Sequence, residues 1–169
     1  MLLGSVIFGV TALFEAHIQL AVLPYSFRIF PAIIILLFFG VAFGPWVGLF
    51  SGAAGYLVEH SITNTPLVWY QALALALVGM IAGFAALVTK KQSSWLQTII
   101  IAEFFCLIAV VIGIACGSFV GVVTAQYTVN DAIGIFIGSA STDIVLGLSS
   151  LPLLLPIYTK VSSLLSKTT

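Results

Sequence analysis

From Phe38 to His60 the chain reads FFGVAFGPWVGLFSGAAGYLVEH, an apolar run broken once, at Gly44-Pro45, and closed by the polar pair Glu59-His60. Glycines fall at positions 40, 44, 48, 52 and 55. A run this apolar belongs in lipid, where glycines let neighbouring helices come close. The rest of the chain has the same character. It is 62% hydrophobic and 6% charged, where a soluble domain carries about 25% charged residues. No polar stretch is long enough for a separate soluble domain. The expectation is therefore a single membrane-embedded domain, residues 1–169, of all-α polytopic class. Net charge is zero and the five basic residues are scattered, which excludes the clustered basic face that nucleic acid requires.

A membrane span needs about 20 apolar residues. Leu2–Leu23 fits a first span. It has no basic residue ahead of it and no small-x-small site after it, so it reads as a retained helix rather than a signal peptide. Pro24 closes it. A second span is expected over Ile29–Phe43, with Pro31 in its first turn, where a missing N–H costs nothing. Gly44-Pro45 breaks the run, because a residue before proline avoids the α region. A third span follows from Trp46 to about Ser61. One kinked helix from Phe30 to His60 would be roughly 46 Å long, well over the hydrocarbon thickness. Two short spans joined by a tight turn are therefore preferred. The remaining spans are expected over Leu67–Val88, Trp95 to about Thr124, and Asp131 to about Tyr158, with Asp131 as a cap residue and Pro152 and Pro156 bending or fraying the last turns. Cys106 and Cys116 then lie on one helix, about 15 Å apart along its axis, too far for a disulfide.

Six spans place Lys90, Lys91, Lys160 and Lys167 on one side together with the N-terminus. The positive-inside rule makes that side the cytoplasm, which puts the chain in the plasma membrane as a multi-pass protein. A five-span chain would split these lysines between the two faces. Pro24–Arg28, Glu59–Pro66 and Ala125–Asp131 then lie outside.

Small residues recur at four-residue spacing: Ala12 and Ala16, Gly48 and Gly52, Gly79 and Gly83, Gly113, Gly117 and Gly121, and Gly134 and Gly138. Most are expected to serve internal packing. Three acids, Glu15, Glu103 and Asp143, fall well inside predicted spans. A charge at the bilayer centre costs at least ~2.5–3.5 kcal/mol, so each is expected to be neutral, paired or facing water. Glu15 and Gln19 share a helix face.

The outer ends carry a denser polar set: Tyr25 and Arg28; Glu59, His60 and Asn64; Trp69, Tyr70 and Gln71; and Gln126, Tyr127, Asn130 and Asp131. Convergent polar groups among aromatics line small-molecule pockets, although aromatics also collect at membrane interfaces whatever the function. There is no phosphate-binding G-x-x-x-x-G-K-[ST] loop, no H-E-x-x-H, no Cys/His cluster of metal spacing and no G-x-S-x-G elbow. No enzymatic activity, cofactor or metal is therefore expected.

The order of these features resembles the S components of energy-coupling factor (ECF) transporters, the membrane subunits that capture vitamins for uptake. The resemblance rests on Ala12-x-x-x-Ala16, an arginine-containing outer loop, the short helix ending FFGVAFGPWVG (Phe38–Gly48), a glycine-rich helix with an acid at its outer end, the lysine pair, and the ending LPLLLPIYTK. It covers nearly the whole chain. It implies six helices, both termini cytoplasmic, and substrate bound near the outer face under the loop joining the first two helices. It also implies partners: one membrane coupling subunit, contacted through Ala12 and Ala16, and two cytoplasmic ATPases. The substrate would be a vitamin or related micronutrient, since the His-rich N-terminus of metal-carrying members is missing. Two features depart from the pattern. No basic residues precede the first helix, and Glu15 sits within the alanine motif.

Substrate-binding candidates are accordingly Glu15, Gln19, Arg28, Glu59, His60, Asn64, Trp69, Tyr70, Gln126, Tyr127, Asn130 and Asp131. Glu59 and Asp131 suit a cationic or donor-rich ring, whereas Arg28 suits an acid, and the sequence does not choose. Two other readings remain open at this point. One is a stand-alone transporter using Glu15, Glu103 or Asp143 as a proton relay. The other is a ligand-free scaffold assembled through its glycine faces.

Overall fold

The computed structural model describes residues 4, 6, 7, 10, 11, 32–63, 67–89 and 94–165, the last seven by backbone alone. Among these residues the protein is all-helical. Five helices follow one another: α1 (Ala32–Phe43), α2 (Pro45–Thr63), α3 (Trp69–Thr89), α4 (Trp95–Val123) and α5 (Val129–Leu165). Three stretches are long and apolar enough to cross a membrane: Trp69–Thr89, Trp95–Val123 and Val129–Tyr158. Their outward faces carry exposed Leu96, Phe104, Phe119, Val123, Val145 and Leu153, the surface expected of helices solvated by lipid. Ala12, Ala16 and the whole stretch from Glu15 to Arg28 lie outside the described residues, as do Asn64, Lys90, Lys91 and Lys167.

The break at Gly44-Pro45 is as tight as a helical hairpin allows. Gly44 is the only residue between α1 and α2. Its N–H donates to the Gly40 carbonyl at 2.7 Å, closing α1, and its carbonyl accepts from the Gly48 N–H at 3.0 Å, opening α2. Serving both helices requires a φ of +101°, which only glycine adopts at low cost. Pro45 then takes the first position of α2, where its fixed φ suits the helix and no N–H is missed.

The short helix α1 is the most enclosed element. Ala32, Ile33, Leu36 and Leu37 are fully buried. It packs on α3 and α5, while α4 lies between those two and closes a ring of four helices; α2 lies outside that ring, against α3 and α1. The core draws Val78, Ala82 and Ala85 from α3, Ala102, Cys106, Ala109 and Val110 from α4, and Ala140, Leu151 and Leu155 from α5. Both cysteines are free, ten residues apart on α4. Gly4, in the helical N-terminal residues, packs against Phe39 of α1 and Ser51 of α2.

Glycines set the closest approaches. A Cβ on Gly48 would collide with the backbone of Gly79, and one on Gly79 with the backbone of Gly48. Gly52 abuts the backbone of Leu75, and Gly83 abuts Pro45 and Gly44. On the other side of α3, Gly113 and Gly117 of α4 receive Val78 and Ala74. Internal packing thus accounts for these repeats as expected. The exception is the pair Gly134 and Gly138 of α5, where no described atom lies within 4 Å of a built Cβ.

The last helix differs most from expectation. It begins at Val129, two residues before Asp131, and continues to Leu165 through both prolines. Packing overrides the lost backbone bonds: Leu151 and Leu155, each beside a proline, are buried. Just before Pro152, two hydroxyls bond back to the preceding turn. Ser150 Oγ donates to the Leu146 carbonyl at 2.7 Å, and Ser149 Oγ to the same carbonyl at 3.1 Å. Proline is tolerated within membrane helices where packing against neighbouring helices holds the helix.

The substitution Gly48→Ala should push α2 from α3 and lower stability by about 1–3 kcal/mol, read as a lower thermal midpoint of the purified protein in detergent. Gly134→Ala, which meets no described neighbour, should leave the midpoint unchanged or raise it, since alanine favours the helix.

Candidate functional site

The end of the bundle opposite Gly44-Pro45 gathers the C-terminus of α2, the N-terminus of α3 and the loop between α4 and α5. Here three side chains from three elements form a chain of hydrogen bonds. Tyr56 Oη donates to Gln71 Oε1 at 2.8 Å, and Gln71 Nε2 donates to Tyr127 Oη at 3.4 Å. Gln71 is half-buried and uses both ends of its amide. The Tyr127 ring stands edge-on to Tyr70, with centroids 5.7 Å apart, and Trp69 is also edge-on to Tyr70, at 5.9 Å. Tyr56 and Tyr70 are both buried.

His60 lies one turn after Tyr56 and shares its face. The two rings are 3.9 Å apart between centroids. His60 Nδ1 donates to the Tyr56 carbonyl at 3.2 Å. That bond fixes Nδ1 as the protonated nitrogen and leaves Nε2 for another partner. Glu59 is half-buried beside it.

A turn at the end of α4 brings Tyr127 into place. The Ala125 N–H donates to the Val122 carbonyl at 3.0 Å, and the Gln126 N–H to the Gly121 carbonyl at 2.9 Å. This pair of bonds is a Schellman cap. It requires a left-handed residue, and Ala125 takes that role with φ of 54°. The chain then folds back so that the Tyr127 ring lies over Gly121, where a Cβ would come within 2.5 Å of it. The next residue caps α5. Thr128 Oγ1 accepts from the Asp131 N–H at 3.2 Å, while the Asp131 carboxylate accepts from the Thr128 hydroxyl at 2.7 Å and from its N–H at 3.2 Å. The arrangement is a capping box. The cap residue is thus Thr128 rather than Asp131, because the threonine hydroxyl reaches the exposed N–H three residues on while Asp131 reaches back.

Of the candidates read from the sequence, the structure brings His60, Trp69, Tyr70 and Tyr127 into one cluster. Gln126, Asn130 and Asp131 are exposed at its rim, and the Asp131 carboxylate is engaged by its own cap. Glu15, Gln19, Arg28 and Asn64 lie outside the described residues. Sequence reasoning missed Tyr56 and the linking role of Gln71. Tyr56 stands four residues before His60 and therefore on the same helical face, which was a usable signal. Among the described residues no three His, Cys, Asp or Glu side chains converge as a metal site. Chemically, the cluster offers aromatic faces, an imidazole nitrogen without a partner among the described residues, and hydroxyls whose partners can be exchanged. These groups recognise polar, ring-containing molecules by hydrogen bonding and stacking.

No protein-family model matches the chain, and no solved structure matches it.

Two substitutions test the local account by thermal or denaturant unfolding. Gln71→Leu should cost about 1 kcal/mol, because it removes the amide that links the Tyr56 and Tyr127 hydroxyls. Ala125→Gly should stabilise the protein by about 1 kcal/mol by relieving the left-handed alanine.

Proposed function

We propose that this chain is a six-span plasma-membrane subunit of the ECF type, with both termini cytoplasmic. It captures a vitamin or related micronutrient at its outer end and delivers it through an ATP-driven uptake complex. The observation that carries the reading is the cluster of Tyr56, His60, Tyr70, Gln71 and Tyr127. It is polar and aromatic, built from three elements, and sits at one end of an otherwise apolar bundle. Packing alone does not call for hydrogen-bonding groups there, since leucines would fill the space.

The charge distribution supports this orientation. α3 runs towards the Gly44-Pro45 hairpin, with Gly83 against Pro45, and Lys90 and Lys91 follow its end. α5 runs the same way, with Tyr158 edge-on to Phe38 and Phe43 at 5.7 and 5.5 Å, and Lys160 and Lys167 follow. Both helices thus run to the hairpin end, and the lysines that follow them in the sequence support a cytoplasmic reading of that end by the positive-inside rule. The polar cluster then faces outward, where a captured solute arrives. Glu59 and His60 stand at the rim as the groups that select among solutes. Delivery would require the coupling subunit and the two ATPases that the resemblance implies, with Ala12 and Ala16 as the contact.

The test is the small-molecule content of the purified protein. Denaturation followed by mass spectrometry should release a stoichiometric ring-containing micronutrient, and His60→Ala should weaken its rebinding about tenfold or more, equivalent to about 1.4 kcal/mol. If no compound is released, and a screen of vitamins leaves the thermal midpoint unmoved, the chain is not a capture subunit.

A further inference from the structure

Asp143 sits at the middle of the apolar stretch Val129–Tyr158, fourteen residues from one end and fifteen from the other. It is 5% exposed, and its Oδ1 has no hydrogen-bond partner among the described residues. It lines a narrow crevice between α1, α4 and α5, together with Leu37, Cys106, Val110, Ile144 and Gly147. The crevice is too narrow for a water molecule, and it reaches the apolar exterior beside exposed Leu107. A residue needed only for packing at this depth would be apolar, because a buried carboxyl oxygen without a partner weakens the contact it sits in. The small neighbour Gly147, whose own Cβ position is taken by Leu37, keeps α5 close to α1 and the carboxyl enclosed.

We propose that Asp143 is a proton-binding site in the core of the bundle, loaded and unloaded as α5 moves against α4 and α1. Its ligand is the proton itself, since no cation stands beside the carboxyl among the described residues. From α4, Cys106 faces the same crevice and Glu103 lies one turn earlier. α1, from Ala32 to Phe43, contains no titratable side chain. Proton release leaves a charge between three apolar helices and loosens the seat of α5. Proton binding restores the packed state. The site is separate from the tyrosine cluster and does not depend on solute capture there.

A hydrophobic carbodiimide reports such a site. The protonated carboxyl adds across one C=N bond, its oxygen bonding to the central carbon and its proton passing to the nitrogen. The O-acylisourea then rearranges by O-to-N acyl transfer to a stable N-acylurea, with nothing else consumed. The protein in lipid vesicles is treated with dicyclohexylcarbodiimide over a series from mildly acidic to mildly alkaline pH, and the adduct is mapped by peptide mass spectrometry. Labelling should fall on Asp143, decline about tenfold per pH unit above its midpoint, and vanish in Asp143→Asn. The wild-type pH series stands by itself if the variant does not fold. An unlabelled Asp143, or labelling there that is constant with pH, would overturn the proposal.

Discussion

The backbone contact between Gly48 and Gly79 is the constraint on which the bundle depends. In lipid there is no hydrophobic force to bring two apolar helices together, so association relies on dispersion at short range and on interhelical polar contacts. Dispersion falls off within an ångström of optimal contact, and a single methyl group at either glycine would open that gap. The same seam continues through Gly40 and Gly83 to the Gly44-Pro45 hairpin. Because one residue joins α1 to α2, the two helices cannot slide independently. Fixing α2 on α3 through Gly48 and Gly79 therefore fixes α1 as well, and α1 supplies the fully buried Ile33, Leu36 and Leu37 around which α3, α4 and α5 assemble.

The opposite end is held by different physics. Away from the hairpin the seam gives way to Tyr56, Gln71 and Tyr127, whose hydrogen bonds tie α2, α3 and the α4–α5 loop. These bonds are directional and exchangeable, unlike the glycine contacts. In the proposed capture role, a solute that offers equivalent donors and acceptors would replace them without exposing unsatisfied groups, while the hairpin end keeps its packing. The division places rigidity at one end and chemical adaptability at the other. The cap residues serve this division: Ala125 turns the chain so that Tyr127 reaches Gln71, and the Thr128–Asp131 box starts α5 immediately afterwards.

The sequence was most legible where a local rule acts alone. Gly44-Pro45 announced a helix break because both residues have strong backbone preferences, and the glycine repeats announced close packing because spacing determines a helix face. The end of α5 was not legible: Pro152 and Pro156 argue locally for fraying, and only the burial of Leu151 and Leu155 against other helices keeps the helix going. The cap of α5 was misplaced for a similar reason, since Thr128 and Asp131 are both good caps and their reciprocal bonds decide between them. Of the aromatic cluster, His60, Tyr70 and Tyr127 had been singled out by residue type at the predicted outer ends. Tyr56 was missed because it lies inside an apolar run, where its hydroxyl finds a partner only through the pairing of α2 with α3.

Asp143 shows why residue depth alone is a poor guide to what a buried acid does. Glu103 and Asp143 both fall inside apolar helices, yet their settings differ. Glu103 is half-exposed on α4, whereas Asp143 is enclosed between α1, α4 and α5. Burial there is imposed by its neighbours: Gly147, one turn on, lets Leu37 in, and Ala140, nearly one turn back, is itself buried. The face of α5 that carries Asp143 is thus the face that must pack for the four-helix ring to close. A change in the charge of that carboxyl acts on the ring directly, through the contact of α5 with α1 and α4, and α1 carries it to the hairpin through Gly44.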